Sequence, residues 1–316
     1  MFTSSNRHVH IIPRSLSAYT LFLFLSSLCF LPSCTNTAAQ IDLIDGNNAM
    51  HHVEQIVGFG PHPSGSNAQK KVGAYIVSQL ESYGLEVNTQ TFRPVTPIGR
   101  REMKNIWATS TGTTESVIIL ASHYDSKYFE EFPFVGANDS GSSTALVLEL
   151  ARILTIENTT DHTLWFVFFD GEEAFLDWTT TDSLYGSRAF LGMLKASGRL
   201  HRIDALLLLD MIGGKDLAFR KDTNSTTWLN TIIWDTASQM GYDNIFQMRG
   251  STTVQDDHIP FAKEKIPVVD IIDLDYIHWH RQGDTIDKLS VNSFEIVGNV
   301  VLASLPTISQ YLLEKH

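Results

Sequence analysis

Short apolar runs at 117–121, 164–169, 205–209 and 268–272 constrain the architecture more than any other feature of the chain. They are dominated by Val, Ile, Leu and Phe and do not alternate as a strand with one wet face would, so each reads as a strand buried on both faces. Such strands belong to parallel sheets, whose connections cross over and cover the sheet with helices. The intervening segments supply those helices: apolar spacing predicts them at 140–154, 184–194 and 226–240, with a last one at about 291–313. The alternation predicts a single α/β domain, an open, doubly wound, mixed but mostly parallel sheet with helices on both faces. Upstream, Ser66 can cap a helix that carries Ala68, Val72, Tyr75, Ile76 and Leu80 to about Tyr83, and Gly84 stops it. Strands are expected at 85–92 and 103–109, around a turn at 94–99. After residue 40 there is no repeat, low-complexity tract or long linker, so 40–316 is expected to fold as one domain.

Composition removes several alternatives. With 43% hydrophobic residues, 18% charged residues, 20 Gly and 10 Pro in 316, the chain is neither disordered, collagenous nor a coiled coil. A formal charge of −12 argues against a nucleic-acid partner, which requires a basic face. Residues 1–39 hold Arg7 and Arg14, no acid, and an apolar run from Leu21 to Leu31 that ends in Pro32-Ser33-Cys34. That run is about half the ~20 residues of a membrane span, so it reads as a cleaved export signal, leaving a secreted or periplasmic chain with no integral membrane domain. Two processing sites compete: small-residue cleavage near Ala38-Ala39, or lipidation of Cys34, since Leu31-Pro32-Ser33-Cys34 resembles a bacterial lipobox apart from its proline. A retained anchor is the third option. Loss of 1–39 deepens the charge from −12 to −14, because both residues of that segment that count are arginines. Cys29 and Cys34 are the two cysteines, so all that follows folds without a disulfide and without a Cys-based zinc site. Asn158-Thr159-Thr160 and Asn224-Ser225-Thr226 fit the glycosylation sequon.

The residues that follow each buried strand carry the chemistry. Ser122-His123-Tyr124-Asp125 follows the first run, Asp170-Gly171-Glu172-Glu173 the second and Asp210 the third; Trp279-His280 follows the fourth after a short loop. Asp139 opens the helix at 140–154. Singly, each has an ordinary explanation: an Asp at a helix start is commonly an N-cap, and paired glutamates are commonly a solvated loop. Open α/β sheets, however, hold ligands beyond the carboxyl ends of their strands, and five elements deliver His123, Asp139, Glu172/Glu173, Asp210 and His280 to that one edge. His and carboxylate donors without cysteine suit Zn²⁺ at a site that keeps an open position. Adjacent glutamates allow one to bind the metal while the other moves a proton. A serine nucleophile fits less well, since Asp139-Ser140-Gly141-Ser142 lacks the glycines of a nucleophile elbow, and no Gly-rich phosphate loop is present.

The stretches His123-Tyr124-Asp125-Ser126-Lys127-Tyr128-Phe129, Gly136-Ala137-Asn138-Asp139-Ser140, Phe168-Phe169-Asp170-Gly171-Glu172-Glu173-Ala174-Phe175, Leu184-Tyr185-Gly186-Ser187-Arg188, Leu209-Asp210-Met211-Ile212-Gly213, Gln255-Asp256-Asp257-His258-Ile259-Pro260-Phe261 and Trp279-His280 resemble the glutaminyl-peptide cyclotransferases of animal type. They run in the family's order from about residue 50 to the end. The wider relatives are the zinc aminopeptidases of the same fold, with which Asp139, Glu172-Glu173 and Asp210 are shared; the 255–258 block and Trp178 resemble the cyclase branch. The resemblance implies cyclisation of N-terminal glutamine of peptides and proteins to pyroglutamate with release of ammonia. It implies one zinc on Asp139, Glu173 and His280, acid/base catalysis by Glu172 with Asp210 and Asp256 hydrogen-bonded beside it, and a substrate pocket containing Trp178, Gln255 and Trp279. Lys127 falls in a matched segment without an assigned role. Animal members carry a disulfide near the site, which this chain cannot form after residue 34. They also carry an aromatic residue a few positions before Trp-His, for which Tyr276 is the candidate substitute. Two rivals remain: a two-zinc aminopeptidase in which His123 and Asp210 bind a second ion shared through Asp139, and a silent binding module on the same fold.

Overall fold

The computed structural model describes residues 43–156, 158 and 160–315, which belong to one compact unit spanning 41–316. The segment 1–39 expected to direct export, with Cys34 as its candidate lipidation site, lies outside the described residues, as does Thr159 of the first sequon.

Helix α1 (Gly46–Gly58) begins at Asp45, whose carboxylate accepts from Asn47 N and Asn48 N. Helix α2 (Asn67–Ser82) begins at Ser66, whose hydroxyl accepts from Gln69 N, and Gly84 leaves it with φ +82°. Strand β1 (Glu86–Phe92) runs through the small β2–β3 hairpin (Val95–Thr96, Gly99–Arg100) into β4 (Met103–Ser110). There follow β5 (Val117–His123), α3 (Gly141–Ile156), β6 (Thr163–Phe169), α4 (Tyr185–Ala196), β7 (Ile203–Asp210) and β8 (Phe219–Asp222). The chain closes with α5 (Thr227–Gln239), β9 (Phe246–Thr252), α6 (His258–Lys263), β10 (Val268–Ile272) and α7 (Val291–Leu313).

The main sheet has the order β1-β4-β6-β5-β7-β10. Strands β6, β5, β7 and β10 are mutually parallel, while β4 runs antiparallel to β6 and β1 antiparallel to β4. Every residue of β5, β6, β7 and β10 is buried, as unbroken apolarity requires. Successive side chains go to opposite faces. Ile118, Leu120, Phe166, Phe168, Leu207 and Leu209 join residues of α1, α2, α3, α5 and α7 in one core, while Ile119, Trp165, Val167, Leu206 and Leu208 pack against α4 and α6 in another. The expected doubly wound architecture is therefore the observed one. Helix α7 is long and apolar enough to cross a membrane by length and composition, yet Phe294, Val297, Val300, Val301, Leu305 and Ile308 are buried in the first core. Burying each such side chain contributes about 1.5–3 kcal/mol.

Beyond the β2–β3 hairpin, which stands where only a turn at 94–99 was expected, four further elements were not anticipated. Helix α1 has the helical stripe Ala49, His52, Val53, Ile56, but a histidine stands in it. Helix α6 is six residues long, too short to show a period. Strands β8 and β9 pair in parallel outside the main sheet and β9 is mostly exposed and polar, so no apolar pattern marks it. The run at 268–272 also conceals a charge, Asp270, which is fully buried in β10.

Candidate active site

The parallel register aligns the carboxyl ends of the strands: His123 lies opposite Phe169, and Asp210 opposite Ile272. At this edge Asp139 Oδ2 is 3.2 Å and Glu173 Oε1 is 2.8 Å from His280 Nε2. On the other side of Asp139, His123 Nε2 is 3.3 Å from Asp139 Oδ1 and 3.4 Å from Asp210 Oδ1. Two sets of candidate ligands thus share Asp139: Asp139, Glu173 and His280, and His123, Asp139 and Asp210, each with donor atoms within 4.8 Å of one another. Both nitrogens of His123, Asp139 Oδ2 and Asp210 Oδ1 are buried without a hydrogen-bond partner. Orphaned donors of this kind, crowded by acids, suit a divalent cation.

Several side chains to which the sequence assigned no role, or which it did not single out, hold this arrangement. Asp284 accepts from Asn138 N at 2.9 Å and Asp139 N at 3.1 Å, presenting the Asp139 carboxylate inward. Asp125 accepts from Gly171 N at 2.9 Å and Glu172 N at 3.1 Å, fixing the turn that carries both glutamates. Lys127 Nζ is 3.0 Å from Glu173 Oε2, so the two oxygens of Glu173 face Lys127 and His280 respectively. Gly136, with φ +56°, must be glycine, because a Cβ there would lie 1.9 Å from Asp139 O. Leu184, Met211 and His280 also take positive φ beside the site, a backbone state that only surrounding structure maintains. Carboxylates that accept backbone N–H groups leave no spacing signature, which is why Asp125 was given no role and Asp284 escaped notice.

Tyr276 is a correction. Its hydroxyl donates to Asp284 Oδ1 at 2.7 Å, and its ring packs beside Gly214, behind the site rather than in it. The wall expected of an aromatic is aliphatic, formed by Ile272 and Leu274. The ring of His280 instead meets Phe129 and Phe134 edge-on, at 6.1 and 6.2 Å between centroids.

The electrostatics separate the acids. Burial would raise the Asp139 carboxyl, but His123 and His280 hold it below its ordinary value. Burial, then the charge of Asp256, pushes Glu172 well above the carboxylate range. Asp256 is pushed up to about 7 by burial and by Asp210, and Asp210 is itself raised by burial. Behind them, Asp257 and Asp270 are fully buried, and His258 stands 3.3 Å from Asp222 and 3.4 Å from Asp270. Such a set shares protons rather than titrating one residue at a time.

Asp139, Glu172, Glu173, Asp210, Asp256 and His280 open into one pocket of about 240 Å³, whose other lining residues include Trp178, Gln255 and Trp279. All nine site residues expected from sequence meet there. Trp178 and Trp279 are 42% and 45% exposed, which excludes a core-packing role for either.

The profile described as Peptidase family M28 matches residues 105–305. Glutaminyl-peptide cyclotransferase of Drosophila melanogaster is 31% identical over 278 residues, 80% of this chain and 78% of the relative. Among solved structures, a glutaminyl cyclase from an Acidobacteriales bacterium has a TM-score of 0.81 and 37% identity, over 85% of this chain and 96% of its own. A leucine aminopeptidase precursor from Bacteroides thetaiotaomicron has a TM-score of 0.77 and 25% identity, over 84% of this chain and 98% of its own.

Proposed function

The chain belongs to peptidase family M28 and, within it, to the glutaminyl-peptide cyclotransferases, and we propose that it cyclises N-terminal glutamine of peptides and proteins at a single zinc held by Asp139, Glu173 and His280. The observation that carries the reading is the convergence of these three ligands with Glu172 in one pocket walled by two exposed tryptophans. The substrate's α-amine attacks its own γ-amide carbon and ammonia leaves. Ring closure is intramolecular, so orientation supplies much of the acceleration. Glu172 takes a proton from the attacking amine and returns it to the departing nitrogen, a role served by its elevated pKa. Burial of Glu172 sets most of that elevation and the charge of Asp256 adds to it, Asp256 being raised in turn by Asp210. Trp178 and Trp279 hold the glutamine methylenes and keep water from the γ-carbon, suppressing deamidation. Zinc in this position supplies Lewis-acid polarisation of the γ-carbonyl. Export through residues 1–39 is part of the same reading.

Purified protein incubated with a Gln-Xaa peptide is expected to release one ammonia and leave a pyroglutamyl peptide of correspondingly lower mass. Release of free glutamine would instead establish an aminopeptidase. That second reading has its own observation, the His123, Asp139, Asp210 set. Two tightly bound zinc ions per chain would favour it, and one would favour the cyclase.

A further inference from the structure

A second cavity of about 430 Å³ adjoins the active site, and Trp178 and Gln255 line both. Its remaining wall is largely apolar, with Leu184, Leu191, Ile259 and Pro260. Its charges are unbalanced. Arg188 donates to the carbonyl oxygens of Thr180, Ser183 and Leu184, so its hydrogen bonds are spent on neutral acceptors. Lys263 is exposed and forms no ion pair or hydrogen bond among the described residues. Glu264, the one acid in the lining, is 2.6 Å from Lys195. One uncompensated cation, Lys263, therefore faces the cavity of a chain whose formal charge is −12, while Arg188 beside it feels the buried charges of Asp257 and Asp182.

We propose that this cavity receives the third and fourth residues of the substrate peptide and favours acidic side chains there, with Lys263 as the recognising charge. The inference rests on the cyclase reading, which puts the N-terminal glutamine in the neighbouring pocket. Because Trp178 and Gln255 are shared by the two cavities, a chain leaving the glutamine pocket passes their shared wall, and at about 3.3 Å per residue the third residue is assigned as the first to enter. The exposed, unpaired Lys263 ammonium meets a carboxylate as a point charge, while Arg188 is held by its carbonyl partners.

The test compares Gln-Ala-Glu-Glu-Ala, Gln-Ala-Gln-Gln-Ala and Gln-Ala-Lys-Lys-Ala, each normalised to Gln-Ala amide, which is too short to reach the cavity. The acidic tail is expected to exceed the neutral one, and the neutral one the basic one, by about three- to tenfold in kcat/KM, chiefly through KM. Lys263→Glu should reverse that order, Lys263→Ala should flatten it, and high salt should compress it. Equal rates for the three tails, or an order that survives Lys263→Glu, would overturn the assignment. Failure to cyclise even Gln-Ala amide would instead count against the cyclase reading. In that event equilibrium binding of the three pentapeptides to wild type and Lys263→Glu still decides whether the cavity ranks them.

Discussion

Glu172 and Glu173 are neighbours in the chain with opposite environments. The carboxylate of Glu173 lies between Lys127 and His280, whereas Glu172 is buried against Asp256 and titrates far above its ordinary range. The turn fixed by Asp125 makes this division possible, because consecutive side chains leave it in different directions. Glu172→Gln is therefore expected to keep one zinc by elemental analysis yet lose about 10²–10⁴-fold in kcat. His280→Ala should lose the metal and the activity together; activity retained by either variant would remove the role assigned to that residue. Lys127 acts through Glu173, so Lys127→Met should weaken zinc about 10–100-fold in competition with a chelator, with Lys127→Arg recovering part of the loss. These positioning residues were the least legible part of the site. His123, Asp139 and Glu172 stand at recognisable strand and helix ends, but Lys127 and Asp284 matter only through partners far away in sequence.

At the scale of elements, the α1–α2 contact contains a titrating group remote from the catalytic edge. His52 lies in the buried stripe of α1, with Nδ1 2.6 Å from the Tyr75 hydroxyl and Nε2 3.1 Å from that of Tyr83. Burial lowers its pKa from 6.5 to about 4, against the opposing charge of Glu149. The folded state thus excludes a proton that the unfolded chain accepts below its ordinary pKa, so stability is full above about 6.5 and falls as the solution is acidified toward 4. Urea unfolding is expected to show about 2 kcal/mol less stability at pH 5 than at pH 7 from this residue, and His52→Gln should flatten that slope. An unchanged slope in the variant would place the acid sensitivity elsewhere. The same histidine hid α1 from the sequence, because a polar ring interrupts the apolar stripe by which a helix is recognised. By contrast β5, β6 and β7 were plain, since strands covered on both faces are built mainly from continuous apolar residues.

For the whole molecule, the fold and the edge of the sheet bearing the site were legible because parallel topology ties the two together: once the strands are placed, their carboxyl ends define the crevice. The second cavity and the β8–β9 pair were not, since both are built from side chains with no shared period. Without cysteine beyond residue 34, the site has no disulfide brace and relies on packing and hydrogen bonds, to which the proposed zinc would add. Removal of zinc by a chelator is expected to abolish activity and to lower Tm by on the order of 10 °C, with zinc restoring both. The three proposed ligands come from the approach to α3, the end of β6 and the loop beyond β10, and Glu173 and His280 are 107 residues apart. They can meet only after the sheet has assembled across that interval, so a zinc ion held by them would be a clasp fastened after the sheet has formed. A clasp of this kind is invisible to the folding rate and governs the escape rate: chelation should leave refolding unchanged while accelerating unfolding, making zinc the determinant of how long each molecule persists.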